Sequence, residues 1–324
     1  MATDAAAVTL DDIAAAAERI KGRVRRTPCL RSRFNLNPLH AGKLMVKLEC
    51  LQVTGSFKPR GANNAVLSLD AAALARGIVT ASGGNHGLAV AYAAHASAAR
   101  AVIYLPENTP PAKAEKLRQW GAEVVIEGAV WDDANAVAHD RADRDGLTYI
   151  HPFADPRVIA GQGTVGREML KQAPDIDVLL VAIGGGGLIS GVATAAKAIK
   201  PGIRVIGVEP IGAPTLKESV AAGELVTLAA IETAANTLAP RRSADINLDI
   251  VRDKVDEIVL VSDDEMRAAA RWLWFEMGIA AELSGAAAMA ALLSGKIAPP
   301  AGSVVGVLVC GAGTDGLPGG VKIS

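Results

Sequence analysis

The chain has 324 residues, which suits about two domains at roughly 100–200 residues each. Half of the residues are hydrophobic but only 3% are aromatic, and 62 are alanine, so the apolar content is small side chains suited to closely packed helices. Charged residues make up 21% and the net charge is −1, which excludes a disordered or collagen-like chain and leaves no basic excess to neutralise nucleic-acid phosphates.

The first twenty residues are acidic and alanine-rich, without the basic and apolar regions of a secretory signal. Within them Leu10, Ile13, Ala14, Ala17 and Ile20 recur at helical spacing and predict an amphipathic helix. Downstream, short β-branched runs alternate with longer alanine-rich runs. Strands are predicted at 44–48, 78–81, 101–105, 123–126, 178–183, 204–208 and 304–310. Helices are predicted at 61–69, 87–96, 112–120, 131–145, 163–172, 188–199, 263–276 and 285–293. This alternation is the pattern of βαβ units, a parallel sheet covered by helices. Pro110-Pro111 opens one helix and Gly121 closes it. Segment 232–248 has no regular period and reads as a long loop crossing the surface or covering a site. Segment 178–196 carries no charge and is long enough for a short membrane span, but four glycines at its centre disfavour a helix by roughly 1 kcal/mol each. Strand, glycine loop, helix is the better reading. Cys29, Cys50 and Cys310 are far apart and odd in number, so neither a disulfide framework nor a C-x-x-C site is expected. A cytoplasmic protein without membrane spans follows.

Three glycine-rich loops punctuate this pattern. In Thr54-Gly55-Ser56-Phe57-Lys58-Pro59-Arg60-Gly61 the lysine is either an exposed turn residue or a desolvated amine of the kind that forms Schiff bases; the P-loop consensus is absent. Ser82-Gly83-Gly84-Asn85-His86-Gly87 lies between a strand and a helix. There it is either a helix cap or a carboxylate-sized anion pocket built on the helix N-terminus. Gly184-Gly185-Gly186-Gly187-Leu188 occupies the same position after the next apolar strand. It suits a single phosphate better than a dinucleotide, because G-x-G-x-x-G fails in either frame. Cys310 ends a buried strand, where most cysteines are packing and some face ligands.

In this order and at these spacings, S-F-K-x-R-G, S-x-G-N-H-G and G-G-G-G-L-x-S-G resemble the fold-type II pyridoxal-phosphate enzymes. The nearest branch is that of the serine/threonine dehydratases (ammonia-lyases) and serine racemases. The likeness runs from Arg26-Thr27-Pro28 to residues 310–315 and includes 151–163 and Gly207-Val208-Glu209-Pro210. It implies an α/β fold like the tryptophan synthase β-subunit, with two open twisted sheets flanked by helices. The large cofactor-binding domain would be discontinuous, 1–52 and 151–324, with a small substrate-side domain at 53–150. By the same resemblance Lys58 holds pyridoxal 5'-phosphate as a Schiff base and later acts as acid and base, and Phe57 packs on the pyridine ring. Gly184, Gly185, Gly186, Gly187 and Leu188 surround the phosphate, Asn85 meets the ring O3′, and Cys310 faces the ring nitrogen. Ser82, Gly83, Gly84, Asn85 and His86 hold the substrate carboxylate. The implied reaction is dehydration of a β-hydroxy amino acid, L-threonine or L-serine foremost, to a 2-keto acid and ammonia. Homodimers are implied too, and with few residues after Cys310, a catalytic unit lacking the effector-binding domain of isoleucine-regulated relatives.

Some positions depart from the family pattern. Racemases carry a second serine where Gly83 stands, so dehydration without efficient racemisation is expected. The branch often holds a divalent cation through a Glu, a backbone carbonyl and an Asp. Glu209 and Ala213 match the first two, but Thr215 stands at the third, which argues against the ion. Gly313, Leu283 and Asn236 replace the commoner Asn, Pro and Asp, which bears on substrate choice. Competing readings are a dehydratase for hydroxyaspartate or phenylserine, a serine racemase, a β-replacement enzyme of the cysteine synthase type, and a non-catalytic nucleotide-binding protein.

Overall fold

The computed structural model describes residues 8–39, 42–107 and 109–317; the leader reading of residues 1–7 lies outside them. In chain order the strands are β1 (Cys29–Ser32), β2 (Lys43–Leu48), β3 (Ile78–Ala81), β4 (Ala101–Leu105), β5 (Glu123–Ile126), β6 (Thr148–Tyr149), β7 (Val178–Ala182), β8 (Arg204–Pro210), β9 (Glu257–Val261) and β10 (Val304–Val309). The helices are α1 (Leu10–Arg19), α2 (Lys58–Leu67), α3 (Ala71–Arg76), α4 (Asn85–Ala96), α5 (Pro111–Gln119), α6 (Trp131–Asp145), α7 (Pro156–Gln172), α8 (Gly187–Ile199), α9 (Thr215–Ala222), α10 (Asp245–Lys254), α11 (Asp263–Met277) and α12 (Leu283–Leu293).

Two sheets result. The first has six strands in the order β1-β2-β10-β7-β8-β9, and the second has four, β5-β4-β3-β6. All pairings are parallel except β1 with β2. Strands β4, β7 and β10 read AVIYL, VLLVA and VVGVLV and are buried throughout. Such continuous apolar runs are what a parallel sheet covered by helices on both faces requires. The last strand is the pivot of the larger sheet. β10 sits between β2 and β7, pairing Val309 with Leu48 and Val305 with Val178. Its Cys310 end and the β2 end leading to Lys58 therefore emerge on the same edge.

Local signals set several helix boundaries. Thr9 and Asp12 form a reciprocal capping box on α1, and Ser262 with Glu265 does the same on α11. Gly146 closes α6 in the left-handed region. Strands 78–81, 101–105 and 123–126 and helix 131–145 lie where the sequence puts them.

Elsewhere the boundaries need correcting. The helix expected at 61–69 begins at Lys58, because Pro59 in the first turn fits helical φ and needs no donor. The helix expected at 163–172 begins at Pro156, and its glycines serve close packing instead of breaking it. A Cβ on Gly163 would lie 2.9 Å from Gly191 O of α8, so the pair lets two helices approach through their backbones. Segment 232–248 is irregular only to Ala244; α10 takes over at Asp245. The strand expected to include Cys310 stops at Val309. Strands β1, β6 and β9 and helices α3, α9 and α10 are additions to the sequence pattern.

Candidate active site

The site forms where the turn leading into α2 meets the residues that follow β10. Ser56 and Gly311 form an antiparallel bridge, in which Phe57 N donates to Cys310 O (3.1 Å) and Ala312 N donates to Gly55 O (2.8 Å). Thr54 reaches this turn in the left-handed region (φ 62°), an outlier for a β-branched residue, followed by Gly55 at φ 85°. The bridge fixes Lys58 beside Cys310 although 252 positions separate them.

Lys58 is partly buried rather than an exposed turn residue. Its Nζ donates to Pro152 O at 2.8 Å and lies 5.2 Å from the centre of the Phe57 ring. Burial pulls its amine down to about 8, so roughly a tenth of it is neutral at pH 7, far more than for an ordinary lysine. Cys310 is buried and its thiol meets Ser284 O at 3.6 Å; burial first, and the Glu282 charge second, push it far up, so it stays a thiol.

The glycine loop links β7 to α8. Gly186 adopts φ 99°, and a Cβ on Gly185 would overlap the Phe153 ring. Phe153 belongs to the His151–Phe153 turn, whose Pro152 carbonyl also holds Lys58. The first helical bond of α8 runs from Ser190 N to Gly186 O (2.9 Å), so the amides before it lack helical acceptors. The Gly185 carbonyl is pinned by Ser243 Oγ (2.9 Å) and Asn247 Nδ2 (3.1 Å), and Asn247 Oδ1 accepts from Ser190 Oγ (3.1 Å). A loop free of side chains at a helix N-terminus is a cradle for a phosphate.

Residues Ser82, Gly83 and Gly84 lead from β3 into α4, which begins at Asn85. Ser82 Oγ accepts from Gly84 N at 3.3 Å. Asn85 Nδ2 donates to Glu282 Oε1 at 2.8 Å. The His86 imidazole is committed to the scaffold: Nε2 lies 2.9 Å from Ile150 O and 3.1 Å from Thr80 Oγ1, and burial drops it to about 3, so it is neutral. What His86 offers a carboxylate is its backbone N–H alone.

Glu282, Thr237, Phe153, Ser243 and Asn247 were not singled out as site residues from the sequence. Glu282 contacts Asn85 and Thr237 Oγ1 (3.5 Å), and burial lifts its carboxyl to about 7. An acid inside Ala280-Ala281-Glu282-Leu283-Ser284-Gly285 was its visible signal. Thr237 lies on the long loop, and its carbonyl is 3.0 Å from where a Gly184 Cβ would be. The loop therefore lies over the glycine cradle, as one of its two readings expected. A groove of about 500 Å³ on the outer face, lined by Thr9, Thr194, Lys197, Ile246 and Asp249 among others, contains none of these residues.

The structure thus brings together a lysine amine of lowered basicity, a glycine loop free of side chains at the α8 N-terminus and the N-terminus of α4, chemistry that suits pyridoxal phosphate. The pyridoxal-phosphate-dependent enzyme family model matches residues 20–311, and the chain belongs to that family. It is 40% identical to an L-threonine ammonia-lyase of Geobacter sulfurreducens over 90% of this chain and 72% of that one. It is 42% identical to a serine racemase of Arabidopsis thaliana over 86% of this chain and 83% of the relative. The structure of maize serine racemase superposes with a TM-score of 0.90 at 38% identity, covering 94% of each chain. The fold is thus the fold-type II one, and the cofactor is pyridoxal phosphate.

The cation site that the resemblance implied does not fit. Glu209 Oε1 and Oε2 already accept from Leu216 N (2.8 Å) and Lys217 N (2.9 Å), and Thr215 Oγ1 donates to Pro240 O (2.7 Å). Ala213 is buried beside them and adds at most a carbonyl. A hard cation prefers several charged oxygens, and one engaged carboxyl with a neutral hydroxyl does not supply them.

Proposed function

We propose that the chain is an ammonia-lyase that dehydrates L-threonine or L-serine to the 2-keto acid and ammonia. The observation that carries this reading is the juxtaposition of the Lys58 amine, the side-chain-free Gly184–Gly187 loop and the Asn85 end of α4. Bound pyridoxal phosphate supplies an electron sink that acidifies the Cα–H of the amino acid attached to it. The chain supplies everything else.

The Gly184–Gly187 and Leu188 amides hold the phosphate, Phe57 supports the ring and Asn85 meets its O3′. Ser82, Gly83, Gly84, Asn85 and the His86 backbone hold the carboxylate and point the Cα–H at Lys58, a positioning effect. Lys58 Nζ takes the Cα proton and returns one to the departing β-hydroxyl, which leaves as water. The enamine product hydrolyses to the keto acid and ammonia. Because Cys310 stays a thiol, it gives the ring nitrogen only a weak hydrogen-bonding partner, which favours elimination. Gly83 has no proton carrier for the face opposite Lys58, which speaks against racemisation.

Residues 53–150 form the small domain in this reading, and 1–52 with 151–324 the large one; the four-stranded sheet lies wholly within the first. The protein works in the cytoplasm as a homodimer. Among the described residues no helix is long and apolar enough to cross a membrane, and all three cysteines are free. Support for the dimer comes from large apolar residues left exposed on two segments that meet, Phe34 and Leu36 on one and Trp274 and Phe275 on the other. There Leu36 N and Asn37 N bind the Glu276 carboxylate at the end of α11.

The test is keto-acid release from L-threonine, L-serine, both hydroxyaspartate diastereomers and phenylserine, with visible absorbance of the cofactor followed in parallel. Turnover of the first two, with both signals lost in Lys58→Ala, is expected. A colourless protein that takes up no pyridoxal phosphate overturns the reading, and selective turnover of another substrate overturns the choice of amino acid.

A further inference from the structure

Glu209, one residue before the end of β8, is fully buried, at 0% exposure, and the chemistry above does not use it. Among the described residues no lysine, arginine or histidine forms an ion pair with it; Lys217 sends its Nζ to Ile258 O instead. A buried carboxyl must have hydrogen-bonding partners to persist. Its partners are two backbone amides of the first turn of α9, one for each oxygen: Leu216 N at 2.8 Å and Lys217 N at 2.9 Å.

The N-cap residue of α9 is Pro214, which has no side-chain acceptor. Glu209 therefore caps the helix from a neighbouring strand, where the orphan amides and the helix dipole both favour it. Leu216, one of the two anchored residues, is fully buried, and its Cδ1 lies 2.8 Å from where a Gly186 Cβ would be. Next to it, Thr215 ties the same turn to Pro240 on the long loop. The clamp thus reaches the phosphate loop through the Leu216 side chain.

We propose that the Glu209 carboxyl is the built-in substitute for a divalent cation in this chain, holding α9 against the phosphate loop without a metal. Two features point the same way: both carboxyl oxygens are engaged by amides, and the residue that would complete a cation site is Thr215. The inference rests on the site binding pyridoxal phosphate, and not on which amino acid is turned over.

The holoenzyme, stripped of metal with a chelator and dialysed, is melted, and apoprotein prepared from it is titrated with pyridoxal phosphate, each with and without millimolar Mg²⁺ or Ca²⁺. In the wild type the melting temperature is expected to move by less than about 1 °C and the cofactor Kd by less than about twofold. In Glu209→Ala the Kd is expected to rise about tenfold, with no rescue by either cation. Thr215→Asp adds a second carboxylate as the third oxygen ligand and is expected to melt lower than wild type without cation and to recover when Mg²⁺ is added. It keeps the test decisive if Glu209→Ala does not fold. Wild type stabilised by several degrees on adding cation overturns the proposal. So does a Glu209→Ala protein of unchanged cofactor affinity, and so does a Thr215→Asp protein indifferent to cations. Melting reads out with or without cofactor, so failure here is distinct from failure to bind pyridoxal phosphate.

Discussion

Replacing Glu49 by glutamine removes one of two carboxylates from a guanidinium that barely touches water. Arg60 is 1% exposed and Glu49 0%. Arg60 Nε and Nη2 reach Glu49 at 2.8 and 2.7 Å, and Nη1 and Nη2 reach Glu168 at 3.1 Å each. Lys47 Nζ completes the cluster by donating to Glu168. Two cations face two anions, so the group is neutral, and Glu49→Gln leaves it with one net buried positive charge. The new amide keeps one acceptor but turns an NH2 toward the guanidinium. Breaking a buried pair costs about 3–5 kcal/mol, and with Glu168 still in place the low end applies, about 3 kcal/mol. At roughly 2–4 °C per kcal/mol, the melting temperature should fall by roughly 6–12 °C. Near-UV circular dichroism of the holoenzyme at neutral pH measures it. The double variant Glu49→Met with Arg60→Met leaves Lys47 and Glu168 balanced, and is expected to lose less than Glu49→Gln alone. A melting point within about 1 °C of wild type, or a double variant that melts below the single one, refutes the reasoning.

Three further outcomes follow from the site. Burial lowers Lys58 to about 8, and only its neutral form condenses with an aldehyde, so cofactor capture by the apoprotein should accelerate between about pH 7 and 9 and then level off. A rate by stopped-flow absorbance still climbing above about pH 10 contradicts the desolvation argument. Gly185→Ala drives a methyl into the Phe153 ring; overpacking of about 1–3 kcal/mol should raise the cofactor Kd by roughly 5- to 150-fold, and equilibrium titration showing wild-type affinity removes the loop from the phosphate site. At Gly83 a Cβ would meet Thr109 Cγ2 at 3.2 Å and Leu105 Cδ2 at 3.3 Å, so serine fits with a slight shift. Chiral chromatography is expected to show L- to D-serine conversion in Gly83→Ser and none in wild type, and conversion by the wild type sinks the proton-carrier argument.

Legibility of the fold tracked how local each cause was. Helix 131–145 and strand 101–105 are legible because the apolar pattern and boundary residues all lie within the segment. Helix α9 escaped because its cap, Glu209, comes from another strand, and α10 because Ala244 offers no capping side chain. The glycines of α7 signal a break in isolation and are explained only by the backbone of α8. Strand β6 is two residues long and exists through its pairing with β3. At the site, the Lys58 and glycine-loop motifs stood out, since their chemistry needs unusual residues at fixed spacing. Asn247 and Ser243 did not, because an amide and a hydroxyl are ordinary until the carbonyl they hold is known.

Placing β10 between β2 and β7 has a consequence for biosynthesis. During translation β2 has no parallel partner until residues 304–309 leave the ribosome, more than 250 residues later. The four-stranded sheet, by contrast, draws all its strands from residues 78–149 and is free to assemble early. Such non-local closure is slow and leaves apolar edges exposed meanwhile. The nascent chain must therefore pass through a long interval with one sheet open, a window in which chaperone engagement would matter most.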